Sequence, residues 1–430
     1  MDPPSRPTSA AGEPILPSAS PVDPELRRGG WVDLLRNRRF LLMEASGSFA
    51  GAGYAVYAVS VLFLAYRISG NLVIAGVVLF IEYGVYTATF LVAPFVDRAK
   101  NKRTILLACY PVQAAAAAAL GFGIRTGTLS IPALLGLVLV LAIMWDFVWA
   151  VFMIAPRIVL ERRQLFVADG FSSAISVGTQ VGGYAGGAVL LYVVGPYGGA
   201  FAYVVLLIGA FVAAVPLSLT IENPPTSQFW ETFRRGWDSF RKEAKGSLRQ
   251  LAALEALYGF FVSVPPLLIT AVAFERFSAP AAAYGALITA YTVGGSIAGI
   301  GIGHLNPRRA VGVLLVGGPV AAGLLVFALA PAPSSVVLLG LLLAGIGAAF
   351  SIRYIAKYSW VQASFPPESL GRINANLYLF TGFAGSAAVL VVGLLSGSVS
   401  LSDLVLIDGA GLVAVGVLAA FLPFIRRLSF

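Results

Sequence analysis

The charged segment between two apolar runs reads Ala93-Pro94-Phe95-Val96-Asp97-Arg98-Ala99-Lys100-Asn101-Lys102-Arg103. The runs on either side of it cover 72–96 and 104–124. Each run is long enough to cross a bilayer, whose hydrocarbon core of roughly 30 Å takes about 20 residues of helix. Because the cations stand where one run stops and the next begins, we expect a short loop at one membrane surface.

The composition of the whole chain fits a membrane protein. Of its 430 residues 58% are hydrophobic and only 11% are charged, whereas an average soluble domain has about 25% charged residues. A single cysteine, Cys109, excludes an internal disulfide and a cysteine-based zinc site. The sequence has no phosphate-binding Gly-x-x-x-x-Gly-Lys-Ser/Thr loop and no Ser-His-Asp or His-Glu-x-x-His set. We therefore expect neither an enzyme nor a bound cofactor or metal.

Twelve apolar runs can be assigned along the chain, and we number them 1 to 12. Each is predicted to be a transmembrane helix. Their bounds are 41–66, 72–96, 104–124, 131–156, 165–194, 198–220, 250–274, 281–303, 310–330, 335–359, 371–396 and 402–424.

The distribution of Lys and Arg predicts the orientation of these helices. With the N-terminus in the cytoplasm, 26 of the 29 basic residues fall on the inner side, and only Arg67, Arg125 and Arg276 fall outside. Cytoplasmic loops carry such an excess of cations. Both termini are therefore predicted to be cytoplasmic in a multi-pass cell-membrane protein. The net charge of +9 then faces anionic lipid, so no nucleic-acid partner is expected.

The runs divide into two groups of six. Residues 1–40 are rich in Pro, Ser and charge and are predicted to be a flexible cytoplasmic tail, followed by an N-terminal half at 41–220. The polar stretch 221–249 interleaves aromatic and basic residues, which indicates an amphipathic helix on the membrane surface or a solvated linker. The C-terminal half covers 250–425. A shift of about 206 residues places Lys102-Arg103 on Arg308-Arg309, as expected for a repeat with a binding site between its halves.

The loop quoted above resembles the signature of the major facilitator superfamily between its second and third helices. The resemblance implies an all-α fold of twelve transmembrane helices in two six-helix halves. It also implies that Asp97, Arg98, Lys102 and Arg103 form a charged latch that gates the two halves. Ala93 and Lys100 stand where that family has glycines, so the turn here departs from the pattern. The alternative is an ordinary basic loop.

Run 5 contains Gly178-Thr-Gln-Val-Gly182-Gly183-Tyr184-Ala185-Gly186-Gly187. This resembles the helix 5 motif of the drug/proton antiporters in the same superfamily, with Gly183 in place of the motif's proline. Glycines four residues apart let a partner helix approach closely, so Gly178, Gly182, Gly186 and Gly187 are expected to form a packing stripe. Plain small-residue packing is the alternative. The segments at 161–165 and 366–372 resemble loops of the enterobactin-exporter and macrolide-efflux branches, which again implies export.

Ionisable side chains inside the runs are candidates for function, since they are costly in a bilayer. Glu82 lies ten residues into run 2, about 15 Å deep at 1.5 Å per residue, and Asp146 lies fifteen residues into run 4. We expect these two to bind a coupling proton or cation. Glu44 and Glu255 stand in the first turns of runs 1 and 7 and are expected to interact with the helix dipole and with neighbouring arginines. Asp408 fits either a hydrated helix end or a functional group.

The sequence predicts a transporter that moves a small, partly apolar organic solute outward by alternating access, in exchange for protons. Run 4 lacks the arginine of many related antiporters, so proton coupling has less support than export. An importer or uniporter of the same fold is one alternative, and a receptor or lipid-handling protein without transport is another. A monomer is expected. The candidates for the cavity wall are Tyr54, Tyr57, Tyr83, Tyr86, Trp145, Trp149, Tyr258, Tyr291, Tyr378 and Arg353.

The orientation can be tested with one cysteine. Placed at Gln228 in a background that lacks Cys109, it is expected to react only from the cytoplasmic side, because this stretch carries six of the orienting cations. The measurement is labelling by an impermeant maleimide in intact and in permeabilised cells. Labelling of intact cells would overturn the predicted orientation.

Overall fold

The computed structural model describes residues 31–161, 164–221, 246–304, 311–365 and 367–427. The described chain is almost entirely helical, and its helices are labelled here in chain order. They are α1 Trp31–Arg36, α2 Arg38–Ser69, α3 Leu72–Thr87, α4 Thr89–Arg98, α5 Lys102–Thr126, α6 Ile131–Val159, α7 Leu165–Val193, α8 Pro196–Ala214, α9 Ser247–Val262, α10 Pro265–Arg276, α11 Pro280–His304, α12 Val311–Leu329, α13 Val336–Ser364, α14 Pro367–Leu395, α15 Leu401–Phe421 and α16 Pro423–Arg427.

Every predicted run is represented by helix. Eleven helical segments are long and apolar enough to cross a membrane when α9 and α10 are taken together, and α3 is a shorter apolar helix. The end of the predicted tail differs from expectation, because residues 31–40 are helical. Asn37 caps α2, since its side-chain oxygen accepts hydrogen bonds from the backbone amides of Arg39 and Phe40. The side chains of Leu34 and Phe40 are fully buried, so apolar burial holds this segment against the bundle.

Runs 2 and 7, expected to be continuous, are each broken into two helices. In run 7 the break falls at Ser263-Val264, just before Pro265 and Pro266. Neither proline can donate a backbone hydrogen bond, so the ladder of the helix is interrupted there. In run 2 the break falls at Ala88, where the hydroxyl group of Thr87 donates to the carbonyl oxygen of Tyr83. Both breaks lie within the membrane-spanning part of the chain.

The two halves meet along two pairs of helices. Helices α2–α8 form the first half and α9–α15 the second, and α3 packs on α14 while α7 packs on α11. The polar stretch that joins the halves falls at 222–245, outside the described residues, so the predicted amphipathic helix of 221–249 is not described beyond its ends. Ser247 already belongs to α9.

The halves are closed at one end, which we call the short-loop end because it holds the turns at Gly70, Gly127 and Gly195. A β-carbon on Gly76 would lie 2.6 Å from the carbonyl oxygen of Val389, and one on Gly285 would overlap that of Ala188. A side chain at either glycine would overlap the neighbouring helix, so glycine is needed for the two helix backbones to approach this closely. In addition, Phe274 of α10 packs on Phe63 and Tyr66 of α2, with ring centroids 4.6 and 4.4 Å apart.

The opposite end, from which the 222–245 segment leaves, is the linker end, and there the halves stand apart. Asp169, Ser173, Ser176 and Gln180 are exposed on one face of the first half of α7. Polar groups on one helical face avoid lipid and line water-filled space in membrane proteins. The exposed polar face therefore indicates that the space between the halves opens toward the linker end.

The glycine stripe of run 5 lies elsewhere than expected. A β-carbon added to Gly178, Gly182 or Gly186 would meet nothing within 4 Å. Helical spacing puts these glycines on the same face as the strongly exposed Val189 and Val193, so the face is turned outward. The close approach to α2 is made instead by Gly183, against Ala52 and Ala55, and by Gly187, against Val56. Of the four expected positions only Gly187 packs tightly. The rotation of α7 about its axis turns Gly183 and Gly187 toward α2 and turns the other three glycines away from it.

Closure of the short-loop end should depend on Gly285 and not on Gly182. Gly285→Leu puts a side chain into the contact with Ala188 and is expected to hold this end open, whereas Gly182→Leu meets open space. The measurement is labelling from the short-loop end of a cysteine at Ile288, a buried position beside the central cavity, in a background lacking Cys109. Labelling should rise several-fold with Gly285→Leu only. Equal labelling in both variants would contradict the packing described here.

Candidate functional site

A cavity of about 170 Å³ lies between the two halves. Helices α2, α3 and α7 of the first half and α10 and α11 of the second contribute to its wall. The wall is made of tyrosines and aliphatic side chains with one carboxylate and one threonine. Its residues are Tyr54, Ala58, Leu62, Leu79, Glu82, Tyr83, Tyr184, Pro266, Tyr284, Ile288, Tyr291 and Thr292.

Glu82 is the only charged residue in this described wall. Helical spacing puts Leu79, Glu82 and Tyr83 on one face of α3, which aims the carboxylate at the space between the halves. The side chain is 8% exposed, and its Oε1 atom has no hydrogen-bond partner among the described residues. The hydroxyl group of Tyr57, from α2, lies near the carboxyl group. A carboxylate buried without a cation is unfavourable, so this site is suited to take up a proton or a cationic group.

Aromatic stacking fixes the wall on the side of the first half. The ring of Tyr54 stacks on that of Trp145 with centroids 4.5 Å apart and planes within 13°. Behind Glu82, Tyr57 stacks on Tyr203 at 5.5 Å. Such pairs hold large amphipathic rings in one orientation, so the tyrosine faces form a preformed surface around the carboxylate.

The structure distributes the sequence candidates over three regions. Tyr54, Tyr83, Tyr291 and Glu82 line the cavity, while Tyr57 and Trp145 support its wall from behind. Tyr86, Trp149 and Tyr378 are exposed outside the wall, and Tyr258 and Arg353 are buried in the second half. Sequence reasoning missed Tyr184 and Tyr284. The sequence did contain evidence for Tyr284: it lies seven residues before the candidate Tyr291, which puts both rings on one face of α11.

Asp146 occupies a separate position at the break in run 2. Its Oδ1 atom accepts a hydrogen bond of 2.5 Å from the hydroxyl group of Thr89, the first residue of α4. The Oδ2 atom is buried and has no partner among the described residues. Asp146 is not in the cavity wall. The two carboxylates singled out in the sequence therefore occupy different environments.

Glu255 is the centre of a buried ion cluster, so its expected interaction with the helix dipole and neighbouring arginines is extended to cations on another helix. Arg353 donates to its Oε1 atom at 2.6 Å and Lys357 donates to its Oε2 atom at 3.0 Å. Thr381 donates to the same Oε2 atom at 3.2 Å, and the guanidinium of Arg353 lies 3.4 Å from the centre of the Tyr258 ring. The three helices α9, α13 and α14 are thereby linked. One anion faces two cations, so the cluster carries a net charge of +1.

The charged loop is tied to its own half. The ammonium group of Lys102 is fully buried and donates to the carbonyl oxygens of Val96, Asp97 and Ala99 at 2.5–2.7 Å. A cation suits these carbonyls, which end α4 and carry the negative end of its dipole. Partial burial raises the pKa of the Asp97 carboxyl group, and Lys102 offsets part of that rise.

The same loop is joined to the segment after α8 by backbone hydrogen bonds. The amide of Lys102 donates to the carbonyl of Leu219 and the amide of Ile221 donates to that of Lys100, each at 2.9 Å. Arg98 and Arg103 lie at the two ends of this paired stretch.

Comparison with solved structures gives the class of fold. A mutant of the nucleoside transporter NupG superimposes with a TM-score of 0.74 and 12% identity, covering 89% of this chain and 99% of that chain. A POT family transporter in complex with 5-aminolevulinic acid gives 0.68 and 10%, covering 89% and 96%. The POT family transporter PepTSo gives 0.68 and 12%, covering 93% and 98%. No protein-family model and no curated protein sequence matches. The chain therefore has the fold of these transporters.

The ion cluster predicts unequal losses of folding stability for two substitutions that each remove one charge. Glu255→Gln leaves two buried cations facing each other and should cost about 3–5 kcal/mol of folding stability, as for other broken buried pairs. Lys357→Met leaves the Arg353–Glu255 pair intact and without net charge. The loss of folding stability should therefore be much smaller than for Glu255→Gln. Thermal unfolding of the purified variants in detergent is the measurement. Equal destabilisation by the two substitutions would contradict the charge balance proposed for the cluster.

Proposed function

We propose that this protein is a secondary active transporter that exports a small, partly apolar organic solute by alternating access, in exchange for protons. The observation that carries the proposal is Glu82, a carboxylate without a cationic partner among the described residues, in a tyrosine-lined cavity between the two halves. A proton and a solute that donates to Glu82 compete for the same oxygen atoms. Binding one therefore releases the other, which is the requirement for exchange.

The two ends of the molecule supply the two access states. The halves touch at the short-loop end and separate at the linker end. The excess of Lys and Arg assigns the linker end to the cytoplasm, so this conformation is inward-facing. In it, solute from the cytoplasm reaches Glu82 and displaces the proton inward. Rocking to the other state then releases the solute outside, where Glu82 takes up the next proton.

The cavity wall favours a particular kind of solute. Five tyrosine rings surround one carboxylate, and ring faces attract cations and flat apolar groups. The volume of about 170 Å³ is below the roughly 300–1,000 Å³ of pockets for drug-sized ligands. The site therefore fits a small solute, or one ring of a larger one, that carries an amine or another hydrogen-bond donor.

Uptake on the same fold is the second candidate. One observation supports uptake as an alternative. Gly178, Gly182 and Gly186 face open space, so the glycine pattern that suggested export does not pack against another helix here. Solute flux into vesicles of each orientation separates the two directions. A ligand that binds the protein but never crosses sealed proteoliposomes would instead support a receptor.

The coupling role of Glu82 can be tested with matched variants. After a thermal-shift screen identifies a solute, Glu82→Gln should retain solute exchange at equal pH but lose transport driven by a pH gradient, because an amide cannot carry a proton. Asp146→Asn should keep part of the gradient-driven flux if Asp146 acts on the solute or the gate. Glu44→Gln is the control, since Glu44 is bonded to Ser172 at 2.6 Å and lies outside the cavity.

The measurement is solute flux in proteoliposomes with and without an imposed pH gradient. Gradient-driven flux at the wild-type rate in both Glu82→Gln and Asp146→Asn would exclude coupling through either carboxylate. The protein would then be a facilitator.

A further inference from the structure

A second carboxylate is enclosed within the second half, away from the central cavity. Asp408 lies in α15, is 3% exposed, and has no hydrogen-bond partner for either carboxyl oxygen among the described residues. It faces a pocket of about 20 Å³. This volume is close to that of one water molecule, since a site needs at least about 10–15 Å³ to hold one.

The wall of this pocket explains what Asp408 can bind. Apart from Asp408 it consists of ten apolar residues from α10, α12, α13 and α15, among them Pro265, Leu268, Leu343 and Ile346. A metal cation needs several oxygen ligands, and this wall offers a single carboxyl group. An organic solute does not fit the volume. A proton needs only one oxygen atom, and it removes the charge that the apolar wall disfavours.

The charged and titratable groups on the surrounding helices do not supply a counter-ion. On α9 Glu255 is held by Arg353 and Lys357, and on α10 Arg276 donates to the carbonyl oxygens of Leu329, Ala330 and Ala332. On α11 the hydroxyl group of Tyr291 is close enough to interact electrostatically with the Asp408 carboxyl group. The same tyrosine lines the central cavity and carries no positive charge. The described parts of α10, α12 and α13 contribute only apolar side chains to the pocket.

The pocket also adjoins the break in run 7. Pro265 lines the Asp408 pocket, whereas the next residue, Pro266, lines the cavity that holds Glu82. Helix α10 starts at these prolines and closes the short-loop end through Phe274. A movement of α10 relative to α12, α13 and α15 would open the Asp408 pocket.

We propose that Asp408 is a second proton-binding site, separate from Glu82, that holds its proton while α10 closes the short-loop end. The carboxylate takes a proton from water when the pocket is open and returns it to water when the pocket opens again. The coupling of this proton to solute movement rests on the proposed transport function, whereas the binding site itself does not.

The test uses infrared absorption of the purified protein in lipid and needs no solute. In a Glu82→Gln background, the carbonyl stretch of a protonated carboxylic acid should be present at neutral pH, should fade reversibly at alkaline pH, and should lose the absorbance of one acid in Asp408→Asn. Asp403→Asn is the matched control, because Asp403 lies on the same helix but is exposed, and its carboxylate accepts a hydrogen bond from Ser400. Asp408→Glu should keep the band.

Two results would overturn the proposal. One is identical spectra for Asp408→Asn and Asp403→Asn at every pH, which would mean that Asp408 is ionised throughout. The other is a band that does not change with pH, which would mean that the proton never exchanges. Thermal unfolding gives a second measure: Asp408→Leu should raise the unfolding temperature, since it removes an unpartnered buried carboxyl group, and a lowered temperature would count against the site. Loss or survival of transport in Glu82→Gln leaves all of these results unaffected.

Discussion

The structure depends above all on how each buried carboxyl group escapes the cost of a bare negative charge in a low-dielectric interior. Glu255 is neutralised by Arg353 and Lys357, and this cluster links three helices. Asp146 receives one hydroxyl group from Thr89. Glu82 and Asp408 have oxygen atoms without a partner among the described residues. Glu255 is thus neutralised within the protein, whereas in our proposals the last two groups are neutralised by protons from solution.

Two of these carboxylates lie beside the helix breaks. Asp146 contacts the first residue after the break in run 2, and the Asp408 pocket includes Pro265 at the break in run 7. Interrupted helices within the membrane occur where backbone lines a cavity or a binding site. Each half therefore contains a broken helix beside a buried aspartate. This similarity concerns the arrangement in space and is not visible as a repeated motif in the sequence.

The sequence predicted the number of membrane helices because hydrophobic length is a local property that survives any packing. It also placed Glu82 near the middle of its run, since depth follows from the rise per residue. The sequence-based prediction failed where the outcome depends on the rotation of a helix about its axis or on contacts between residues far apart in the chain. The outward face of Gly178, Gly182 and Gly186 depends on how α7 is rotated against α2. The pairing of Glu255 with Arg353 joins residues 98 positions apart, and no local pattern reports such a contact. The break at Ala88 has no proline to mark it.

The net positive charge of the Glu255 cluster has an electrical consequence. Moving one elementary charge through the full membrane potential involves about 2.3 kcal/mol per 100 mV. The cluster belongs to the second half. In the alternating-access cycle that we propose, it would be carried along the membrane normal with that half, and the conformational step would then be sensitive to voltage. A potential that is negative inside would attract the cluster toward the cytoplasm, even when the proposed exchange carries no net charge across the membrane.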